Sequence, residues 1–596
     1  MSQVKERSEI DAKYKWNLGD IYATNEKWES TLEEVKAKFA EIAKFKGKLS
    51  DEKELKKYFV LEREISQEAE KLFCYAKMSR DQDNGNDTYV AMCDKAYALL
   101  MNLEAETSFV TPELSALDDE TLVSLSNKPE FEDNSVFLKN IIRNKAHLLS
   151  ENEERILALT SEMANSYDTI FTMLDDVDMK FAPVTMPDGT KTEMSHGRYG
   201  LFLQDKNRDL RKQAYESMYS AHIDNINTLT AIYSSSVKKD IFYSRVRKFP
   251  SALEGELFAG NIPVSVYDGL VDAINASLPA LHRYVALRKK LLGLDDMKMY
   301  DMYVPAVDTA DKKYTYEEAQ ELAKKALAPL GEEYLHLLDR AFNENWIDVY
   351  ENKGKTSGAY SWGSYGTHPY MLLNYQDRLD DVFTLVHEAG HSMHTYFSDS
   401  ALCYEKAQYR IFVAEVASTV NEVLLLKYLL KVTDDKKTRA YLLNHFLEQF
   451  RTTVFRQTMF AEFERESHRL AEAGESLTVN TLNKVYGDLN RKYYSSAVDT
   501  DKYIETEWAR IPHFYNAFYV YQYATGFSAA VAIADMILSE GQPAVDRYLK
   551  FLSSGGSDFP VELLKIAGVD LSRPDAVISG MKVFESTLAE FEELMK

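Results

Sequence analysis

Two histidines and a glutamate at the spacing H-E-x-x-H, His387, Glu388 and His391, stand inside the segment DDVFTLVHEAGHSMHTYF, from Asp380 to Phe397. Residues four apart on a helix lie one above the other, so the two imidazoles would present ring nitrogens to one point beside it. That point suits a zinc ion. Glu388 follows the first histidine directly, and its carboxylate can lean over the same point without having to ligate. There it could take a proton from a water held at the ion, the general-base role this motif implies. The motif also arises by chance in chains of this length, so its surroundings have to decide.

A catalytic zinc needs a third protein ligand and an open fourth position. The extension H-x-x-G-x-x-H is excluded, because His394 and Phe397 stand three and six residues after His391. Attention moves to the acids downstream. Ile411 to Leu430, IFVAEVASTVNEVLLLKYLL, is apolar almost all round yet carries Glu415 and Glu422 on one face with Ser418 between them. A buried carboxylate without a partner is costly, so this stripe calls for a cation. Glu415, 24 residues after His391, is the third-ligand candidate. Glu422, Ser418 and Asp381 are candidates for orienting the ligands from behind. A buried ion pair to Lys or Arg stays open as the alternative for Glu415. His394 shares a face with His391 and is read as a neighbour of the site.

The elements that must hold these groups can be traced outward. Asp380 and Asp381 mark a helix start, and Val382, Phe383, Leu385, Val386 and Ala389 make the helix a buried one. Just upstream, KTSGAYSWGSYGTHPYMLLNYQ (355 to 376) is rich in Gly, Ser and Tyr and ends in a strand-like run, Tyr370 to Tyr375. It reads as a flexible aromatic loop plus an edge strand able to pair with an extended peptide, with Tyr360, His368 and Tyr370 as candidate substrate contacts. An ordinary surface loop is the competing reading. Far downstream, WARIPHFYNAFYVYQYATG (508 to 526) offers His513, Tyr515, Tyr519, Tyr521 and Tyr523 as donors for the negative charge that builds on an attacked carbonyl oxygen. Tyr515, Tyr519 and Tyr523 are spaced by four and read as one helical stripe. Tyr523 joins the candidate substrate contacts, and simple packing is the alternative for the stripe.

Across 596 residues there are only 14 Pro and 24 Gly, too few for the turns of a many-stranded sheet, so the class is mostly α. The length implies at least two lobes. We expect an N-terminal helical lobe, residues 1–200, ending in a β-hairpin around Pro187-Asp188-Gly189, and a catalytic region over 201–596. A net charge of −24 argues against nucleic acid as a partner. No stretch of 18 apolar residues predicts a membrane span, and the charged N-terminus lacks a signal-peptide core, which places the chain in the cytoplasm. Cys74, Cys93 and Cys403 imply no disulfide framework.

Taken together, TLVHEAGHSMH, FVAEVASTVNE, RIPHFYNAFYVYQYATG and GAYSWGSYGTHPYMLLNY closely resemble oligoendopeptidase F, a branch of the thimet-oligopeptidase-like zinc peptidases. The hairpin MKFAPVTMPDGTKTEMS and the closing LLKIAGVDLSRPDA extend the likeness over most of the chain. The resemblance implies a largely helical, two-lobed zinc peptidase with small β elements near the active site and a deep channel that admits short unstructured peptides. It carries one Zn2+ onto His387, His391 and Glu415, the catalytic glutamate onto Glu388, and the transition-state donors onto His513 with Tyr515 and Tyr519. The thimet branch has a Gly-rich loop between the histidine and the tyrosines, whereas here His513 runs almost directly into them. Two readings compete with an oligoendopeptidase: a related helical zinc carboxypeptidase, and a silent peptide-binding protein that keeps zinc for structure. Two histidines and one glutamate leave a coordination position open, which favours an enzyme.

Overall fold

The computed structural model describes residues 4–307 and 312–596 of the chain. Helices dominate it. The strands among the described residues are short: β1 (Val184–Thr185), β2 (Lys191–Thr192), β3 (Met297–Lys298), β4 (Ile347–Asp348), β5 (Tyr360–Trp362), β6 (Tyr370–Leu372) and β7 (Val498–Asp499). No described helix is long and apolar enough to cross a membrane.

Two compact units are each assembled from three stretches of sequence: 1–146, 312–431 and 530–569 in the first, and 147–311, 432–529 and 570–596 in the second. These boundaries differ from the division expected at residue 200. The hairpin β1–β2 forms around Pro187-Asp188-Gly189 as expected, but it lies within the second unit, and Gly200 sits inside the helix His196–Leu203. A chain that leaves a unit and returns to it leaves no local mark in composition.

In the first unit, helices Asn25–Ile42, Glu52–Gln82 and Asp87–Thr107 bury Trp28, Leu32, Leu55, Ile65, Leu72, Ala96 and Leu99 in one core. The first helix is capped by Thr24, whose hydroxyl accepts from the Lys27 amide. Tyr370 and Leu372 of β6 belong to the same core. They do so because β6 is the central strand, parallel to β4 on one side and antiparallel to β5 on the other. This corrects the reading of Tyr370 to Tyr375 as an edge. All three β6 residues are buried, and an apolar run without alternation is the mark of a strand covered on both faces. The edge next to the catalytic motif is β5. Asp348 at the end of β4 is buried and binds both Arg7 (2.6 Å) and Lys355 (2.7 Å), which outweigh burial and hold its carboxyl below the usual range. This pair fixes the start of the aromatic loop.

The second unit is built from helices that include Arg208–Asp224, Ile226–Val246, Val264–Leu291, Arg456–Glu472 and Val479–Tyr494, with the parallel pair β3–β7. At its centre the buried Glu507 accepts from Arg456, Tyr219 and Tyr486. One carboxylate thereby ties three helices.

Candidate active site

The H-E-x-x-H motif lies on the helix Leu379–Ala401 and the acidic stripe on the helix Ile411–Val432, both in the first unit. The Nε2 atoms of His387 and His391 are 3.2 Å apart, and Glu415 Oε2 stands 3.4 Å from the first and 3.5 Å from the second. Ligands about 2.05 Å from a tetrahedral ion stand about 3.35 Å from one another, so the triangle has the size a zinc ion requires. The donor set fits. His387, His391 and Glu415 keep 28%, 17% and 41% of their side-chain surface exposed, so one side of the triangle is open. Burial works against a charged His387 ring, but hydrogen bonds to Glu415 and Glu422 outweigh it and raise its pKa to about 10. The pocket is built for positive charge.

Glu388 is buried beside the triangle, and burial pushes its carboxyl above the ordinary range even though the two imidazoles pull the other way. Glu422 accepts from His387 Nδ1 at 2.5 Å, which fixes the tautomer and turns the Nε2 lone pair toward the ligand point. Ser418 acts on the carboxylate instead of an imidazole: its hydroxyl donates to Glu415 Oε2 at 3.2 Å. Asp381 has neither role. Its carboxylate accepts the backbone N–H groups of Gln376 and Arg378 and closes the start of the motif helix. Glu422→Ala should weaken metal affinity about 10- to 100-fold. Competition with a fluorescent chelator measures this, and unaltered affinity would remove Glu422 from the site.

Two further residues place the acidic helix, and both escaped the sequence reading. Gly390 lies against Ala417 and Ser418 so closely that a Cβ there would sit 2.6 Å from the Ala417 carbonyl oxygen and 2.6 Å from Ser418 Cα. That contact lets Glu415 reach the imidazoles. Asn421, fully buried, donates to the Val386 carbonyl at 2.9 Å and accepts from the Tyr334 hydroxyl at 3.0 Å, which fixes the register of the two helices. A glycine inside an apolar helix was the available signal, since it costs about 1 kcal/mol against alanine and needs a packing reason. Gly390→Ala should lower stability by about 2 to 3 kcal/mol through overpacking against backbone. It should also reduce metal loading. Thermal unfolding and metal analysis together check this, and a variant with unchanged Tm and full loading would show the close approach to be dispensable.

Around the site, His394 is a neighbour as expected: buried, stacked on Tyr409 at 3.7 Å, and held neutral by burial with a pKa of about 3. Of the loop residues read as substrate contacts, Tyr360 on β5 donates its hydroxyl to Asp81 at 2.9 Å. His368 stacks on Trp346 at 4.6 Å, and one ring nitrogen faces Asp20. Tyr370 is a core residue whose hydroxyl donates to the Asn17 carbonyl, so burial removes it from substrate contact. Ser361, next to Tyr360, shares a 2.7 Å hydrogen bond with Ser392, the residue after His391. That bond ties the β5 edge to the motif helix.

Two other groups of potential ligands already have partners. Arg63 bridges Asp133 and Glu405 beside Cys403, and His222 faces Asp175 at 2.9 Å beside His196.

In the second unit the expected tyrosine stripe is broken. Residues 512 to 515 form a tight single turn, Phe518 takes a positive φ of 54°, and the helix begins only at Tyr521. Tyr515 therefore points inward, packed on Phe171 (4.5 Å) and Tyr167 (5.8 Å), with burial pushing its hydroxyl pKa up. His513, Tyr519 and Tyr523 stay accessible as one cluster, with ring centres 6.1 Å apart for His513 and Tyr523 and 5.5 Å for Tyr519 and Tyr523.

Comparison with known proteins gives the family. Residues 201–583 match the family described as Peptidase family M3, and residues 113–181 match the one described as Oligopeptidase F. The chain belongs to peptidase family M3. Among similar M3 relatives, Oligopeptidase PepF of Bacillus subtilis (strain 168) is 45% identical over 100% of this chain and 89% of its own length. The chromosomal oligoendopeptidase F of Lactococcus lactis subsp. cremoris is 42% identical over 100% and 99%. The crystal structure of oligoendopeptidase-F from Enterococcus faecium has a TM-score of 0.75 at 36% identity, covering 96% of this chain and 99% of that one. A solved structure from Chlamydophila abortus reaches a TM-score of 0.93 at 34% identity over 99% and 100%. As an M3 member the chain is a peptidase, and its largely helical fold is that of its oligoendopeptidase neighbours.

Proposed function

We propose that this M3 peptidase is a zinc-dependent oligoendopeptidase that cuts internal bonds of short unstructured peptides. The observation that carries the reading is the ligand triangle, three donors 3.2 to 3.5 Å apart with an open side. Zinc suits two imidazoles and one carboxylate, and when bound it would polarise a carbonyl and acidify a water.

The chain's own residues do the rest. Glu388 takes the proton from the attacking water and delivers it to the leaving amine, and its raised pKa suits a group that must both accept and release a proton. The free side of β5 offers backbone groups to an extended peptide, beside the motif helix to which Ser361 ties it. His513 and Tyr519 donate to the developing oxyanion. Tyr515, buried in its aromatic cluster, does not, and Tyr523 supports the other two rings. The names oligopeptidase and oligoendopeptidase among the relatives support short peptides and internal cuts.

Digestion of a peptide of about ten residues, with products mapped by mass spectrometry with and without chelator, separates the possibilities. Internal cuts that chelator abolishes support the proposal. Stepwise C-terminal trimming would make it a carboxypeptidase, and intact peptide would make it a binding protein.

His513→Gln should lower kcat about 10²-fold with little change in KM. Burial moves the His513 pKa down from 6.5, so the ring is neutral at pH 7 and becomes charged only as pH falls below its ordinary range. The wild-type and variant profiles should therefore have the same shape above pH 7. A basic-side limb lost in the variant would contradict a neutral donor.

A further inference from the structure

We propose that Glu464 is a positioning residue for the His513 and Tyr519 donor pair, acting through one hydrogen bond to the backbone of the turn between them. The proposal rests on the reading of His513 and Tyr519 as transition-state donors.

The turn is pinned from its buried side at two points. At the first, the carbonyl of Tyr515 accepts from the Tyr167 hydroxyl at 3.2 Å, and Lys239 in turn donates to that hydroxyl at 3.1 Å. At the second, the amide of Phe518 donates to Glu464 Oε1 at 3.0 Å. Phe518 is the residue with a φ of 54°, a backbone state that a bulky side chain adopts only when its surroundings impose it. Its ring is held against His468 at 4.5 Å and Tyr267 at 6.0 Å. Tyr519, the residue after this reversal, has its ring 5.5 Å from that of Tyr523, which in turn stands 6.1 Å from His513. The reversal parts Tyr515 from these rings, where a helix continued through the turn would have kept it on their stripe.

Glu464 is unusual for an acid in this role. It is fully buried, its second oxygen has no hydrogen-bond partner, and the charged groups around it include two more carboxyls, Asp240 and Glu256. Lys239 (2.8 Å) and His468 (3.2 Å) are spent on Asp240. Burial first, and then those two carboxyls, push the Glu464 carboxyl well above its ordinary pKa against the pull of the Phe518 amide that it accepts from. A buried polar group with one satisfied oxygen is costly as a core filler, whereas it suits a site where one backbone amide must be held in place. Glutamine has the same shape, is neutral and offers the same acceptor. It should replace Glu464 where leucine cannot.

Steady-state kinetics on the full-length metal-loaded enzyme test this. Glu464→Leu should lower kcat about 10- to 100-fold with KM within about threefold, the cost of a donor displaced by about an ångström. Metal content should be unchanged. Glu464→Gln should restore kcat to within about threefold of the wild type, because it keeps the acceptor. A leucine variant of normal kcat, or a glutamine variant as slow as the leucine one, would overturn the proposal. Should the leucine variant fail to fold, Tyr167→Phe carries the test. It removes the donor to Tyr515 and one acceptor of Lys239, which keeps Asp240, and should reduce kcat about fivefold or more at near-normal Tm, and unchanged kcat would overturn the clamp. His513→Gln, run in parallel, reports on the donor reading itself: if it is fully active, that reading fails whatever Glu464 does.

Discussion

Glu388→Gln is expected to keep its metal and lose turnover, with kcat lower by about 10³-fold and KM little changed. The substitution preserves shape and removes only the ability to accept a proton. Glu388 is not one of the three groups that make the ligand triangle, so metal content should stay at one ion per chain. Its carboxyl is buried next to that triangle, with a pKa raised by burial, so on the proposed mechanism bulk solvent is a poor substitute base. Metal analysis by mass spectrometry and kinetics on a fluorogenic peptide make the comparison. Substantial cleavage by the glutamine variant would remove Glu388 as the base and leave the proton to another group.

The second large effect is expected at Glu415, where alanine should weaken metal binding by more than about 10²-fold and abolish activity at trace zinc. Removing Glu415 leaves His387 and His391 without the carboxylate that completes the triangle, and deprives the Ser418 hydroxyl of one of its acceptors. A ligand that binds only the native state stabilises it by about 2.7 kcal/mol when present at 100 times its Kd. Chelator should therefore lower the Tm of the wild type and leave that of Glu415→Ala almost unmoved. Equal responses to chelator would mean that the ion is held elsewhere.

The parts of this site that the sequence disclosed are those written in short spacings or in a conflict of polarity. His387 and His391 share a face because they are one helical turn apart, and Glu415 stood out because a carboxylate in an apolar helix needs a counter-charge. Glu422 followed from the same stripe and does hold His387. What stayed hidden depends on how distant segments approach. Gly390 matters only because another helix passes within contact of its Cα. Tyr370 looked like an edge residue until β4, more than twenty residues earlier, paired on its other side. Tyr515 fell off the expected stripe because the positive φ at Phe518 interrupts the chain between it and Tyr519, and spacing by four has no meaning across such a break. Asp381 was mistaken for an orienting group because capping acids and ligand-orienting acids are the same residue type. The boundary expected at residue 200 failed for a related reason, since both compact units are assembled from segments far apart in sequence.

The central claim is that His387, His391 and Glu415 hold one zinc ion. A crystal of the zinc-loaded protein measured above and below the zinc absorption edge tests it most directly. The account predicts a single anomalous peak per chain, about 2.0 to 2.2 Å from Nε2 of both histidines and from a Glu415 carboxylate oxygen. A peak bound by other residues, or a fully loaded protein with no peak between these three, would contradict it.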